Sequence, residues 1–147
     1  MEDRLSWGIL ATGGIARAFA RAVTRSRNGR LAAVGSRDQA SAEAFGEQYG
    51  VPARYGSYQG VLDDPEVRAV YVSPPHPMHR EWALKAIAAG KHVLCEKPMT
   101  VNYRDTAELV AAARERGVLL LEAFAYRTHP RVQRLLELVR SGAIGEP

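Results

Sequence analysis

Residues 11–16, Ala-Thr-Gly-Gly-Ile-Ala, are the first whose types and spacing point to chemistry. They close an apolar run, Leu5–Ala11, and lead straight into an amphipathic stretch that begins at Gly14. A glycine-bearing bend between a buried strand and a helix aims main-chain N–H groups, backed by the helix dipole, at an anion. In the pattern G-x-G-x-x-G/A, Gly13 takes the middle place, where a missing side chain lets the backbone approach a pyrophosphate. Ala16 takes the third place, where a small residue lets helix and strand pack closely. Ala11 departs from the pattern at the first place. If that turn needs a positive φ, alanine costs about 1 kcal/mol or more there. Ala11, Thr12, Gly13, Gly14 and Ile15 are the candidate pyrophosphate contacts.

A second group lies at Gly35-Ser36-Arg37-Asp38, at the end of the next apolar run. In doubly wound folds this tip sits beside the adenosine ribose. An acidic residue there accepts a hydrogen bond from the 2′-hydroxyl of NAD and repels a 2′-phosphate. Ser36 and Arg37 offer a hydroxyl and a planar guanidinium instead, which suit a phosphate, so NADP is expected, with NAD the second choice. The alternative has Arg37 stacked on the adenine or facing water, with Asp38 capping a helix. His76 and His79 stand at i,i+3, but no third ligand is in sequence reach, and no metal is expected. Cys95, the one cysteine, adjoins Glu96 rather than a cation and reads as a buried, inert thiol.

The elements that must position these residues follow from periodicity. Strands are expected at Leu5–Ala11, Leu31–Ser36, Val67–Ser73, His92–Cys95 and Val118–Ala123, with a short one near Ala53–Tyr55. Helices are expected at Gly14–Arg25, Gln39–Tyr49, Ser57–Leu62, His79–Ala89, Tyr103–Arg116 and Pro130–Arg140. Gly50, Gly90 and Gly117 mark helix ends, and Asn102 is a fair N-cap. Strands that are continuous apolar runs, alternating with helices, imply right-handed crossovers and a parallel sheet covered on both faces. The expected fold is a three-layer, doubly wound α/β domain of Rossmann type with strand order 3-2-1-4-5-6.

Length and composition agree. A chain of 147 residues fits one domain, and 46% hydrophobic with 24% charged residues is ordinary for a soluble globule. The net charge of +4 is scattered, with no basic run interleaved with aromatics, so a nucleic-acid groove is not indicated. No stretch approaches the roughly 20 apolar residues that span a bilayer. The N-terminus lacks the features of a secretory signal, so a cytoplasmic location is expected.

The segments Ser73-Pro-Pro-His-Pro-Met-His79 and Gly90-Lys-His-Val-Leu-Cys-Glu-Lys-Pro98 resemble the glucose–fructose oxidoreductase / inositol dehydrogenase family (Gfo/Idh/MocA). Tyr55-Gly-Ser-Tyr58 and Glu122-Ala-Phe-Ala-Tyr-Arg-Thr-His-Pro130 resemble its trans-dihydrodiol dehydrogenase-like branch. The likeness runs along the whole chain, with the motifs in order.

The resemblance implies an N-terminal NAD(P)-binding domain, residues 1–124, with residues 125–147 forming an exit segment and helix toward a substrate domain absent from this chain. It implies hydride transfer between NADP(H) and a hydroxyl or ketone of a sugar, cyclitol or diol, with the isolated half not competent alone. Lys97 matches the family's lysine beside nicotinamide and substrate, and Pro98 a proline often preceded by a cis bond. Glu96 matches a cofactor-contacting residue, while Ser73, Pro74, His76 and His79 match the loop along the nicotinamide half. Glu122 and Arg127 match residues near the cofactor, or form an ion pair between domains. The second acid/base group would lie in the missing half. A non-catalytic nucleotide-sensing regulator of the same fold is the alternative function. A homo-oligomer joined through the apolar residues of the last helix, among them Val132, Leu135 and Leu136, is a further reading.

Overall fold

In the computed structural model, which describes residues 4–145, strands and helices alternate as the apolar periodicity requires. The strands are β1 (Leu5–Leu10), β2 (Gly29–Gly35), β3 (Ala53–Tyr55), β4 (Ala69–Val72), β5 (His92–Cys95) and β6 (Leu120–Glu122). The helices are α1 (Gly14–Thr24), α2 (Gln39–Tyr49), α3 (Tyr58–Asp63), α4 (His79–Ala88), α5 (Tyr103–Arg116) and α6 (Pro130–Arg140). All strand pairs are parallel, and the sheet order is β3-β2-β1-β4-β5-β6, as expected.

Alternate strand residues point to two cores. Ile9, Val34 and Tyr71 pack with Ala16, Ala20 and Val23 of α1 and Phe45 of α2. On the other face, Leu10, Val70, Val72 and Val93 pack with Val61 of α3, Ala83 and Ile87 of α4, and Leu109 of α5. The small α1 residues let that helix lie close on the sheet. Burying apolar surface on both faces, at about 25 cal/mol per Å², is what drives a parallel sheet to be sandwiched.

Several boundaries differ from the periodicity, each for a local reason. β1 stops at Leu10 because Ala11 takes φ 82° and leaves the strand region. β2 starts at Gly29, since Gly29 and Arg30 pair with Leu5 and Ser6 whatever their hydropathy. β4 starts only at Ala69, because the Val67 N–H bonds the Asp64 carbonyl in a turn. Val118 lies outside β6, its N–H donating to Ala113 O and closing the C-terminus of α5 over left-handed Gly117. Short 3₁₀ turns at His76–Met78 and Ala125–Thr128 give no periodic signal.

Among the described residues no helix is long and apolar enough to cross a membrane. Leu119, just before edge strand β6, and Leu121 on it are 66% and 61% exposed, and α6 buries none of its residues.

Candidate functional site

The register brings most of the candidates to one edge. Gly35, Leu10, Val72, Cys95 and Glu122 are Cα partners across five strands. The residues just past them continue the ladder. Ala11 N–H bonds Gly35 O at 2.9 Å, Ser73 N–H bonds Leu10 O at 3.3 Å, and Glu96 N–H bonds Val72 O at 2.9 Å. Ser36 N–H likewise bonds Tyr55 O at 3.0 Å. Ser36, Ala11, Ser73 and Glu96 therefore stand in a row at the C-terminal edge. There the chain winds one way through β1, β2 and β3 and the other way through β4, β5 and β6. A crevice at that reversal is where open α/β sheets bind ligands.

The bend after β1 is built for an anion. Ala11 is the sole non-glycine residue with positive φ among those described. It turns the chain so that Gly13, extended at φ −69° and ψ 179°, caps α1. Among the described residues no side chain caps the first turn of α1. By contrast, Asp38, Ser57, Asn102 and His129 each accept from an early amide of α2, α3, α5 and α6. A Cβ built on Gly13 or Gly14 meets nothing within 4 Å. At Gly35 a Cβ would lie 2.7 Å from the Ser57 carbonyl oxygen and 2.8 Å from Val61 Cγ2, so that glycine serves packing. Gly13 has no such duty within the chain. Thr12 is partly exposed, and apolar Ile15 is 50% exposed at the mouth of the bend.

At the tip of β2, Ser36 is buried and its Oγ accepts from Asp38 N–H at 3.4 Å, while Arg37 is exposed. The ionisation of nearby Tyr58 is pushed up by burial and drawn partly back by the Arg37 guanidinium. Asp38 caps α2, accepting from Ser41 N–H at 2.8 Å and from Ser41 Oγ at 2.7 Å. The Ser41 hydroxyl, then its amide, hold the Asp38 carboxyl below its ordinary value. That carboxylate is committed to the helix.

Past β4 the side chains mostly serve the scaffold. Ser73 Oγ donates to Leu10 O at 2.7 Å and ties the two strand ends bracketing the crevice. His79 is buried, with Nδ1 2.9 Å from Pro98 O and Nε2 3.0 Å from Pro74 O. It pins the loop after β4 to the loop after β5 and keeps no ring nitrogen for a ligand. His76 packs edge-on to His79 at 5.2 Å, and its Nε2 is buried with no hydrogen-bond partner. An unpaired buried nitrogen costs about 1–3 kcal/mol. Among the described residues no group of three His, Cys, Asp or Glu could hold a metal.

Past β5, Lys97 is exposed and the Lys97–Pro98 bond is cis. Glu96 is half-buried. It accepts from Tyr71 Oη at 2.5 Å through Oε1 and from the Lys97 N–H at 3.1 Å through Oε2. Glu122 accepts from Met99 N–H at 2.8 Å and so holds the same loop from β6. Arg127 is exposed in the 3₁₀ turn Ala125–Thr128. Cys95 is fully buried; burial first, then the nearby Glu122 and Glu96 carboxylates, push its thiol up to about 12. It is an inert core residue, as expected. Tyr71 is the site residue that sequence reasoning missed. Its aromatic ring in an apolar strand looks like core, and only the pairing of β4 with β5 shows that its hydroxyl meets Glu96.

A doubly wound parallel sheet with an open, side-chain-poor bend at its reversal point defines a dinucleotide-binding α/β domain. The chain belongs to the Gfo/Idh/MocA oxidoreductases: the model for that family, described as an oxidoreductase family with an NAD-binding Rossmann fold, matches residues 5–124. Trans-1,2-dihydrobenzene-1,2-diol dehydrogenase of Mus musculus is 41% identical over 144 residues, 97% of this chain and 43% of its own length. D-xylose 1-dehydrogenase (NADP(+)) 2 of Haloferax volcanii is 40% identical over 93% of this chain and 42% of its own length. KijD10, a 3-ketoreductase from Actinomadura kijaniata solved with NADP, superposes with a TM-score of 0.92 at 35% identity, over 97% of this chain and 46% of its own. The chain thus spans less than half the length of these relatives.

Proposed function

We propose that the chain is the NADP(H)-holding half of an oxidoreductase acting on a hydroxyl or ketone of a sugar, cyclitol or diol. The observation that carries this reading is Gly13. Its backbone angles suit any residue and the space around it is open, yet it stands where a side chain would block approach to the uncapped first turn of α1. An anion approaching that turn meets free amides and the positive end of the helix. The relatives named for NADP and solved with NADP support the cofactor, and their names supply the substrate class.

Each candidate then has a task. Ala11, Thr12, Gly13, Gly14 and Ile15 would border the pyrophosphate. Ser36 and Arg37 would receive the adenosine 2′-phosphate, with Asp38 kept out of the way by its cap. His76 and Glu96 would face the nicotinamide half, with Ser73, Pro74 and His79 shaping the loop. When bound, the nicotinamide supplies or takes up a hydride. Lys97, exposed at the C-terminal edge of the sheet, would hold or move the proton at the substrate oxygen. Glu122 supports the Lys97 loop through Met99 rather than a ligand directly, and Arg127 is left to the substrate side. Residues 125–145, with α6 unburied, would form the passage to a substrate domain.

The test is fluorescence titration of the chain with NADPH and NADH. NADPH should bind more tightly, and Arg37→Asp should cut that preference at least tenfold, because it replaces attraction to a 2′-phosphate with repulsion. An unchanged ratio would remove Arg37 from the cofactor choice, and no binding of either would end the cofactor reading.

A further inference from the structure

Tyr71 occupies an unusual place for a core tyrosine. Its ring lies on the α1 face of the sheet, stacked on Phe19 of α1 with centroids 4.0 Å apart and planes 21° apart. Phe19 in turn meets the edge of Trp7 at 5.1 Å. The residue is almost wholly buried, and its hydroxyl spends its proton on one acceptor, Glu96 Oε1, at 2.5 Å. Tyr71 pairs with Leu94 in register, so Glu96, two residues beyond Leu94 and just past β5, leans to the same face. Burial, then the bond to Glu96, push the Tyr71 hydroxyl well above its ordinary value, so it remains a donor.

The other oxygen of Glu96 accepts the Lys97 N–H. Both carboxylate oxygens are thus engaged, one from inside the sheet and one from the backbone of the exposed lysine. The carboxylate has one orientation before any ligand arrives, and the same bond anchors the start of the Lys97 loop. We propose that Tyr71 is a positioning residue for the nicotinamide half of the site, acting through Glu96 on the Lys97 segment. It rests on the NADP(H) reading above and adds a residue that the motifs do not contain. A hydrogen bond to a carboxylate is among the stronger kinds, and without Tyr71 the Oε1 oxygen of Glu96 would lose the donor it has in the fold. The stack on Phe19 fixes the ring, so the hydroxyl does not wander. Tyr71→Phe keeps the stack and removes only the proton donor.

The experiment uses two probes that share an adenosine half. NADPH spans both halves of the site, whereas 2′,5′-ADP lacks the nicotinamide half. Calorimetric titration of the 147-residue chain should show Tyr71→Phe weakening NADPH about five- to tenfold while 2′,5′-ADP stays within twofold of wild type. Glu96→Gln, a change at the sheet edge that leaves the core intact, should weaken NADPH alone as well. The double variant should bind NADPH no worse than Glu96→Gln, because the two residues act as one unit. Equal weakening of both probes by Tyr71→Phe would mean a merely structural role and overturn the proposal, as would unchanged NADPH binding. Additive losses in the double variant would also overturn it. Wild-type chain that binds neither probe would overturn the cofactor reading and this proposal together, whereas the other failures leave that reading standing.

Discussion

Replacing Gly13 by alanine should separate folding from binding. The Gly13 backbone, φ −69° and ψ 179°, is one that alanine adopts freely, and its Cβ would meet nothing within 4 Å. Restricting the unfolded chain stabilises by about 0.4–1 kcal/mol. Alanine is a poorer N-cap than glycine, which costs a comparable amount, roughly 0.5–1 kcal/mol. The two offset each other, so Tm should stay within about 3 °C of wild type. Binding should respond quite differently. The added methyl occupies the space a pyrophosphate needs in order to reach the open amides of α1. Losing one charge-assisted hydrogen bond costs about 1.5–3 kcal/mol, or roughly ten- to 150-fold in affinity. NADPH fluorescence titration reads the second quantity and a circular dichroism melt the first. Gly13→Ala chain that binds NADPH as wild type does would refute the placement of the phosphates. A melt lowered by much more than about 3 °C would show that Gly13 has a structural duty after all.

Other outcomes follow from the same geometry. Ala11 carries φ 82°, so Ala11→Gly should leave Tm unchanged or raise it by up to about 4 °C, since relief of roughly 1 kcal/mol or more opposes a smaller gain in chain entropy. Ala11→Val should lower Tm, because a branched side chain tolerates that region poorly; the reverse order of the two melts would contradict the strain. The Asp38 carboxyl lies below its ordinary value of 3.8 because it accepts from Ser41. A depressed folded pKa means stability that is present above the unfolded value and lost as pH falls through the folded one. The Tm deficit of Asp38→Ala should therefore be full near about pH 7 and shrink below about pH 4. A deficit that stays constant down to about pH 2 would rule out the charged cap.

Much of the molecule was legible in the residues alone. The limits of α2, β5, α5 and α6 agree with the periodicity, and those of α2 and α5 are set by glycine at a left-handed C-cap and by Asp38 or Asn102 at the N-cap, which act locally. The strand order matched the one usual for a doubly wound sheet, and the bend at residues 11–16 was marked by its place between a strand and a helix. Even the strain at Ala11 could be anticipated, since the pattern asks for glycine there.

Lateral relations were not legible. That Ser36, Ala11, Ser73 and Glu96 share one edge depends on strand register, which no local preference encodes. The resemblance puts His79 on the loop along the nicotinamide half, but only the tertiary structure shows it pinning Pro74 to Pro98 with both ring nitrogens. The union of Tyr71 with Glu96, 25 residues apart, is of the same kind. Sequence determines elements because caps, periodicity and turn residues act over a few positions. Sites belong to the fold, because hydrogen bonds across strands form only when the burial of two cores has chosen which strands are neighbours.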